Sequence, residues 1–322
     1  MKFRTECEVR GSDLRLSPDL PVVMAGSCFA DNISGRMRRC LWPASNPLGV
    51  LFNPLSIARV LELCLRDADT SAEFGRSAFE ADGLWHSWLF DSRCTAADKA
   101  SLLANMERCR KSLSENIAAG KTLFVTFGTA YCYFLADSPG YVVANCHKRP
   151  QQMFERRRIS VNEITKAWSE LGARLAEKFE GLRIVLTVSP VRHLRDGLHE
   201  NNLSKGTLLL AADSLCMSGV TFSYFPAYEL VNDDLREYRY YADDLTHPSA
   251  QAVEYIWEKF LDAYIDRDGR EALSEGESIA RRTAHRPLVA AAGADTAFSE
   301  ETQRIINDFK RRHPRALDPD SI

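Results

Sequence analysis

Two short stretches hold residues whose types and spacing suit acyl chemistry. In the first, the apolar run Pro21 to Ala25 leads directly into Gly26-Ser27-Cys28-Phe29-Ala30-Asp31-Asn32, and a helical pattern follows. A serine there lies at the carboxyl end of the first strand, where ligands bind in open α/β sheets. Gly26 permits a tight turn, and the helix N-terminus can offer backbone N–H groups to a developing oxyanion. Ser27 therefore suits a nucleophile, although serine at this place also serves as an ordinary N-cap. The second stretch is Asp243-Asp244-Leu245-Thr246-His247-Pro248-Ser249, between the last strand and the final helix. Asp-x-x-His on a loop can bring a carboxylate to one imidazole nitrogen, leaving the other to take a proton from a serine. Pro248 suits the start of a helix, where its missing N–H is not needed. Alone, this stretch also fits a capped helix preceded by a surface histidine. Together the two stretches are far more specific than either alone. Cys28 is a rival nucleophile, since a thiolate is intrinsically the stronger one. A residue next to the nucleophile on a tight turn points elsewhere, so Cys28 fits better as a small buried residue.

Other polar side chains are weaker candidates. His86 lies between Trp85 and Trp88, and His147 and Lys148 follow Asn145, so both histidines are candidates to line a cleft, against the alternatives of a satisfied structural histidine or a solvated basic pair. Arg192 and His193 follow a Ser-Pro turn after a strand and suit a substrate carboxylate or phosphate, with an ordinary surface turn as the alternative reading. His199-Glu200-Asn201-Asn202 lacks a second histidine at ligand spacing, and no metal is expected. No glycine-rich phosphate loop is present, so no cofactor is expected either.

Four apolar segments have the character of buried strands: Pro21 to Ala25, Thr122 to Phe127, Arg183 to Val188 and Val220 to Phe225. A short fifth is expected near Cys40 to Trp42 or Leu48 to Phe52. Helical patterns between them predict a mostly parallel sheet of about five strands in a three-layer α/β/α domain, because parallel neighbours need crossover connections. Helices are expected over Ala30 to Cys40, from Pro54 to about Asp67, over Ala96 to Ala118, from Val161 to about Phe179, and after Ser249. Residues 66–120 exceed a simple crossover and form a helical insertion able to wall a pocket. The hydrolase-like domain is placed at 1–265. A charged, small-residue-rich C-terminal extension over 266–322, partly mobile, carries a short helix at Glu300 to Arg311.

Of the 322 residues, 45% are hydrophobic and 26% charged, an ordinary globular composition. A net charge of −3 gives no positive field to gather nucleic acid. The charged start Met1-Lys2-Phe3-Arg4 lacks the following apolar stretch of about 7 to 15 residues that a secretory signal needs. No run approaches the roughly 20 apolar residues of a membrane span. The nine scattered cysteines form no Cys-x-x-Cys pair and fit reduced thiols. The expectation is a cytoplasmic protein.

The chain resembles the GSCFA family of the SGNH/GDSL hydrolase superfamily. The first motif is literally Gly26-Ser27-Cys28-Phe29-Ala30, and Asp244-x-x-His247-Pro248 matches the superfamily's C-terminal catalytic block. Further likenesses are Asn46-Pro47-Leu48-Gly49, Asn53-Pro54-Leu55-Ser56, Thr126-Phe127-Gly128-Thr129-Ala130, Asn145-Cys146-His147-Lys148 and Ser189-Pro190-Val191-Arg192, so the resemblance spans roughly residues 20–262. It implies an SGNH-hydrolase-like, flavodoxin-like fold in which Ser27 attacks a carbonyl, His247 is general base and then acid, and Asp244 orients His247. It also implies that the N–H groups of Gly49 and Ser27 line an oxyanion hole. The superfamily's third block is Gly-x-Asn, whose asparagine is a further donor. This chain departs from it with Gly128-Thr129-Ala130, leaving Thr129 or Asn145 as replacements. The expected function is a serine esterase or acyl hydrolase acting on a small-molecule or glycan ester. An acyltransferase with the same triad, or a catalytically weak binding protein on the same fold, are the alternatives.

Overall fold

A computed structural model describes residues 4–9, 11–66, 70–219, 221–284 and 294–321. β1 (Val22–Gly26) runs into α1 (Cys28–Arg39), followed by β2 (Ala44–Ser45), α2 (Pro54–Cys64), α3 (Ser71–Ser77), and the hairpin β3 (Ala78–Ala81) and β4 (Leu84–Ser87). α4 (Lys99–Gly120) leads to β5 (Thr122–Phe127), then β6 (Tyr131–Leu135), β7 (Val142–Val143) and β8 (Phe154–Arg158). α5 (Val161–Lys178), β9 (Arg183–Val188), α6 (Gly197–Met217) and β10 (Phe222–Tyr224) follow. A single turn, α7 (Ala227–Glu229), precedes α8 (Ala250–Tyr264), α9 (Arg267–Ala284) and α10 (Ala294–Arg312).

The central sheet has five parallel strands in the order β10-β9-β5-β1-β2. Counted along the chain this is the flavodoxin-like 2-1-3-4-5 order, which reverses between β1 and β5. Strand alternation divides the core into two layers. Val23, Ala25, Val125, Phe127 and Leu186 face α2, α4, α5 and α6, whereas Val22, Met24, Phe124 and Val185 face α1 and α8. Strands buried on both faces read as continuous apolar runs, which is why β1, β5 and β9 stand out in the sequence.

The expected fifth strand falls between its two predicted positions, at Ala44–Ser45, with Val50 adding a bridge to Gly26. Pro47 and the left-handed Gly49 (φ 71°) break the run between them. The insertion is not wholly helical: the β3–β4 hairpin turns at Asp82-Gly83, both at positive φ. A second small antiparallel sheet, β7-β6-β8, stands apart from the main one. Val220 and Asp67, at the ends of two expected elements, lie outside the described residues.

The C-terminal helices are docked. Gly276 of α9 packs so closely on the Cys40 carbonyl that a side chain there would clash, and Ile279 and Phe309 bury against Leu41. The Leu317 N–H reaches the Leu41 carbonyl at 2.8 Å.

Candidate functional site

Ser27 sits between β1 and α1, at the strand-order reversal. Extended backbone at Ser27 (ψ 173°) makes it the N-cap of α1, and its Oγ accepts the Phe29 N–H at 3.4 Å. It is 1% exposed. Gly26 (φ 125°) packs on the Thr126 backbone with no room for a side chain. Gly128 closes the other side, since a Cβ there would lie 3.3 Å from Ser27 Cβ and 2.9 Å from the Phe52 carbonyl oxygen. Three turns, Gly26-Ser27, Phe52-Asn53 and Gly128-Thr129, therefore meet at the carboxyl ends of the strands. Gly128 and Thr129 both donate to the Phe52 carbonyl, at 2.8 and 3.0 Å.

Asp244 and His247 occupy the loop before α8. Asp244 Oδ2 lies 2.6 Å from His247 Nδ1, and Asp244 Oδ1 accepts the N–H groups of Thr246 and His247, each at 2.9 Å. The His247 backbone N–H and then its ring hold the Asp244 carboxyl far below the usual carboxylate range. Both side chains are about half exposed. The Arg192 N–H, in the loop after β9, donates to the Thr246 carbonyl at 3.2 Å and ties this loop to the sheet. Ser27 Oγ makes no direct hydrogen bond to His247, and among the described residues no acceptor takes its proton.

The remaining predicted residues divide. Thr129 and Asn145 line a cleft of about 310 Å³, together with Phe52, Asn53, Tyr131 and His193. His86 and His147 do not line it. Their rings pack 4.8 Å apart at the β3–β4 hairpin, which carries His86; His147 Nε2 meets the Ser87 carbonyl at 2.8 Å and His86 Nδ1 meets Thr95 Oγ1 at 3.0 Å. Arg192 stacks over Tyr241, 4.2 Å from the ring centre. The Ser27 N–H donates to the Thr126 carbonyl at 3.2 Å and the Gly49 N–H to the Asn46 carbonyl at 3.3 Å, so both expected oxyanion donors have backbone partners here. Thr129 Oγ1 accepts the Tyr131 N–H and pairs with Ser204 Oγ, each at 3.1 Å. Asn145 Oδ1 accepts the His147 N–H at 2.8 Å, and its Nδ2 donates to no described residue. Burial pushes the Cys28 thiol up, partly offset by Lys205, which weakens the rival thiolate.

Sequence reasoning missed two residues and undervalued a third. Asn53, 4% exposed, caps α2 by accepting the Ser56 N–H on Oδ1 at 2.8 Å; its Nδ2 donates to no described residue, and the side chain lines the cleft. His193 also lines the cleft, and burial, then Lys205 and His247, lower its pKa to about 4. Lys205 of α6 is 1% exposed and sends Nζ to the carbonyls of Gly128 and Ser189 at 2.6 and 2.7 Å. The Asn-Pro pair at 53–54 is a capping signal that could have drawn attention to Asn53.

A profile of the GSCFA family matches residues 21–260. The chain belongs to the GSCFA family. The match covers the Ser27 turn, the Asn53 turn, Gly128 and the Asp244–His247 loop. No curated protein and no solved structure matches the chain. Among the described residues, no group of three or more His, Cys, Asp and Glu side chains is placed to hold a metal ion. Nor is any helix among them long and apolar enough to cross a membrane.

Proposed function

We propose that this GSCFA-family protein is a serine esterase or acyl hydrolase with Ser27 as nucleophile, His247 as general base and Asp244 as the residue that orients His247. The observation that carries the reading is the Asp244–His247 pair, with an Oδ2 to Nδ1 separation of 2.6 Å, on a loop tied to the same end of the sheet as the Ser27 turn. The carboxylate on Nδ1 leaves Nε2 as the nitrogen that takes the Ser27 proton. Catalytic hydrogen bonds are commonly long before substrate arrives, and Ser27 and His247 form theirs in the Michaelis complex.

In the reaction, Ser27 Oγ bonds to the ester carbonyl carbon as its proton passes to His247. The tetrahedral intermediate collapses when His247 returns that proton to the leaving alcohol, giving an acyl-enzyme. Water, deprotonated by His247, then releases the acid and restores Ser27. The oxyanion needs donors. The amides of Asn53 and Asn145, both on the cleft and both with Nδ2 free of described partners, take the place of the asparagine that Ala130 lacks. The substrate class is a small-molecule or glycan ester, entering by the cleft that Asn53, Thr129 and Asn145 line; Ser27 and His247 are not among its lining residues. An acyltransferase differs only in an alcohol replacing water in the second half.

The second reading, binding without turnover, is favoured by one observation: the Ser27 and Gly49 N–H groups already have backbone partners. Turnover of short-chain p-nitrophenyl esters, abolished in both Ser27→Ala and His247→Ala, supports the esterase. Wild-type protein that binds such esters without turnover supports the second reading.

A further inference from the structure

Among the described residues, Lys205 is the most deeply buried of the charged side chains. It is 1% exposed, and among the described residues no carboxylate lies within ion-pair distance of Nζ. Burying an ammonium is costly unless its charge is met by well-placed acceptors. Here the acceptors are two backbone carbonyls, Gly128 after β5 at 2.6 Å and Ser189 after β9 at 2.7 Å. The helix could dock without it: Leu208, Ala211, Ala212 and Leu215 of α6 are already buried in the core.

The two carbonyls lead to the two halves of the proposed site. Gly128 packs against Ser27 Cβ and donates its N–H to Phe52, the residue before Asn53. Ser189 begins the loop on which Arg192 donates to the Thr246 carbonyl, one residue before His247. Ser204, the preceding residue of α6, grips the same strand end by accepting the Ala130 N–H at 2.8 Å.

We infer that Lys205 is a positioning residue whose buried ammonium clamps the carbonyls of Gly128 and Ser189, and so holds the Ser27 turn and the His247 loop in one register. The inference rests on the esterase reading. A misplacement of about 1 Å can reduce a rate a hundredfold, so a clamp reaching both halves has large leverage. Deprotonation leaves two N–H groups on Nζ but removes the charge that strengthens both bonds, so the clamp loosens when the proton is lost. Burial lowers the Lys205 pKa to about 7, with Cys28 opposing, so the ammonium form is lost as pH rises through neutrality. The titratable groups facing it are Cys28 from α1 and His193 from the loop after β9.

The test is the rate at which a fluorophosphonate labels Ser27, followed from pH 5.5 to 9 in wild type, Lys205→Met, and Lys205→Ala with and without ethylammonium, with folding checked by circular dichroism. The wild-type rate should fall on the alkaline side near pH 7. Lys205→Met should be slower on the order of a hundredfold with that alkaline fall gone. Ethylammonium should restore part of the rate to Lys205→Ala. A folded Lys205→Met that labels at the wild-type rate, or a slow one that keeps the alkaline fall, overturns the inference. Should both variants fail to fold, the wild-type profile decides: a rate that holds level through neutral pH overturns the clamp. Wild-type Ser27 that never reacts overturns the esterase reading and the clamp together, whereas reactivity indifferent to Lys205 overturns the clamp alone.

Discussion

Asp244 Oδ2 stands 2.6 Å from His247 Nδ1, while the other oxygen of the same carboxylate accepts the His247 backbone N–H at 2.9 Å. One side chain thus fixes both the ring and the backbone of the residue that has to find Ser27. Asp244→Asn removes the negative charge that meets the ring proton and should lower kcat by about 10² to 10⁴-fold, the range of a lost acid–base contribution, with KM little changed. Because Asp244 stays ionised far into the acid range, activity lost between pH 5 and 7 should not be traceable to its protonation; steady-state pH profiles check this.

Asn53 has two separable tasks. Asn53→Asp keeps the Oδ1 acceptor that caps α2 and removes the Nδ2 donor of a side chain that lines the cleft. If that donor serves the oxyanion, kcat should fall by at least about 10² to 10³-fold, because the new carboxylate both lacks the donor and repels the developing oxyanion. Unchanged kcat would remove Asn53 from that role and leave it to Asn145 alone.

Gly26 should tolerate nothing larger. Its φ of 125° and its contact with the Thr126 backbone leave a Cβ neither conformation nor space. Gly26→Ala should destabilise by about 3 kcal/mol or more, read by urea denaturation, because a backbone neighbour cannot rotate away. Near-wild-type stability would mean the turn is not built as described.

Lys205 should leave a signature in stability as well as rate. Its folded pKa of about 7 lies below its ordinary 10.5, so between those values the unfolded chain binds the extra proton. Stability rises with pH wherever that holds. The difference in unfolding free energy between wild type and Lys205→Met should therefore rise from pH 7 towards 10 and be flat below pH 6. A difference independent of pH contradicts it.

The sheet was legible because β1, β5 and β9 are apolar on both faces, and Ser27 and His247 because each stands at the junction of a strand-end loop and a helix. Other elements gave weaker signals. Phe154-Glu155-Arg156-Arg157-Arg158 forms a strand with three consecutive arginines, so no apolar alternation marks it. Asp82-Gly83 is a recognised hairpin signal, obscured by the helical patterns around it. α9 packs through Gly269, Ala272, Leu273, Gly276 and Ile279, a face of small residues that reads as a weakly apolar tail. Lys205 was invisible for a different reason. The helix Gly197–Met217 carries exposed Leu203, Leu210 and Met217 opposite buried leucines, so its sequence does not say which way a lysine points.

The most direct test of the central claim is where a fluorophosphonate attaches. After labelling and trypsin digestion, mass spectrometry of the peptide from Leu16 to Arg36 contains both Ser27 and Cys28 and separates them by fragmentation. The account predicts a single adduct on Ser27, absent from Ser27→Ala and strongly reduced in His247→Ala. An adduct on Cys28, or none in a folded wild-type protein, would contradict it.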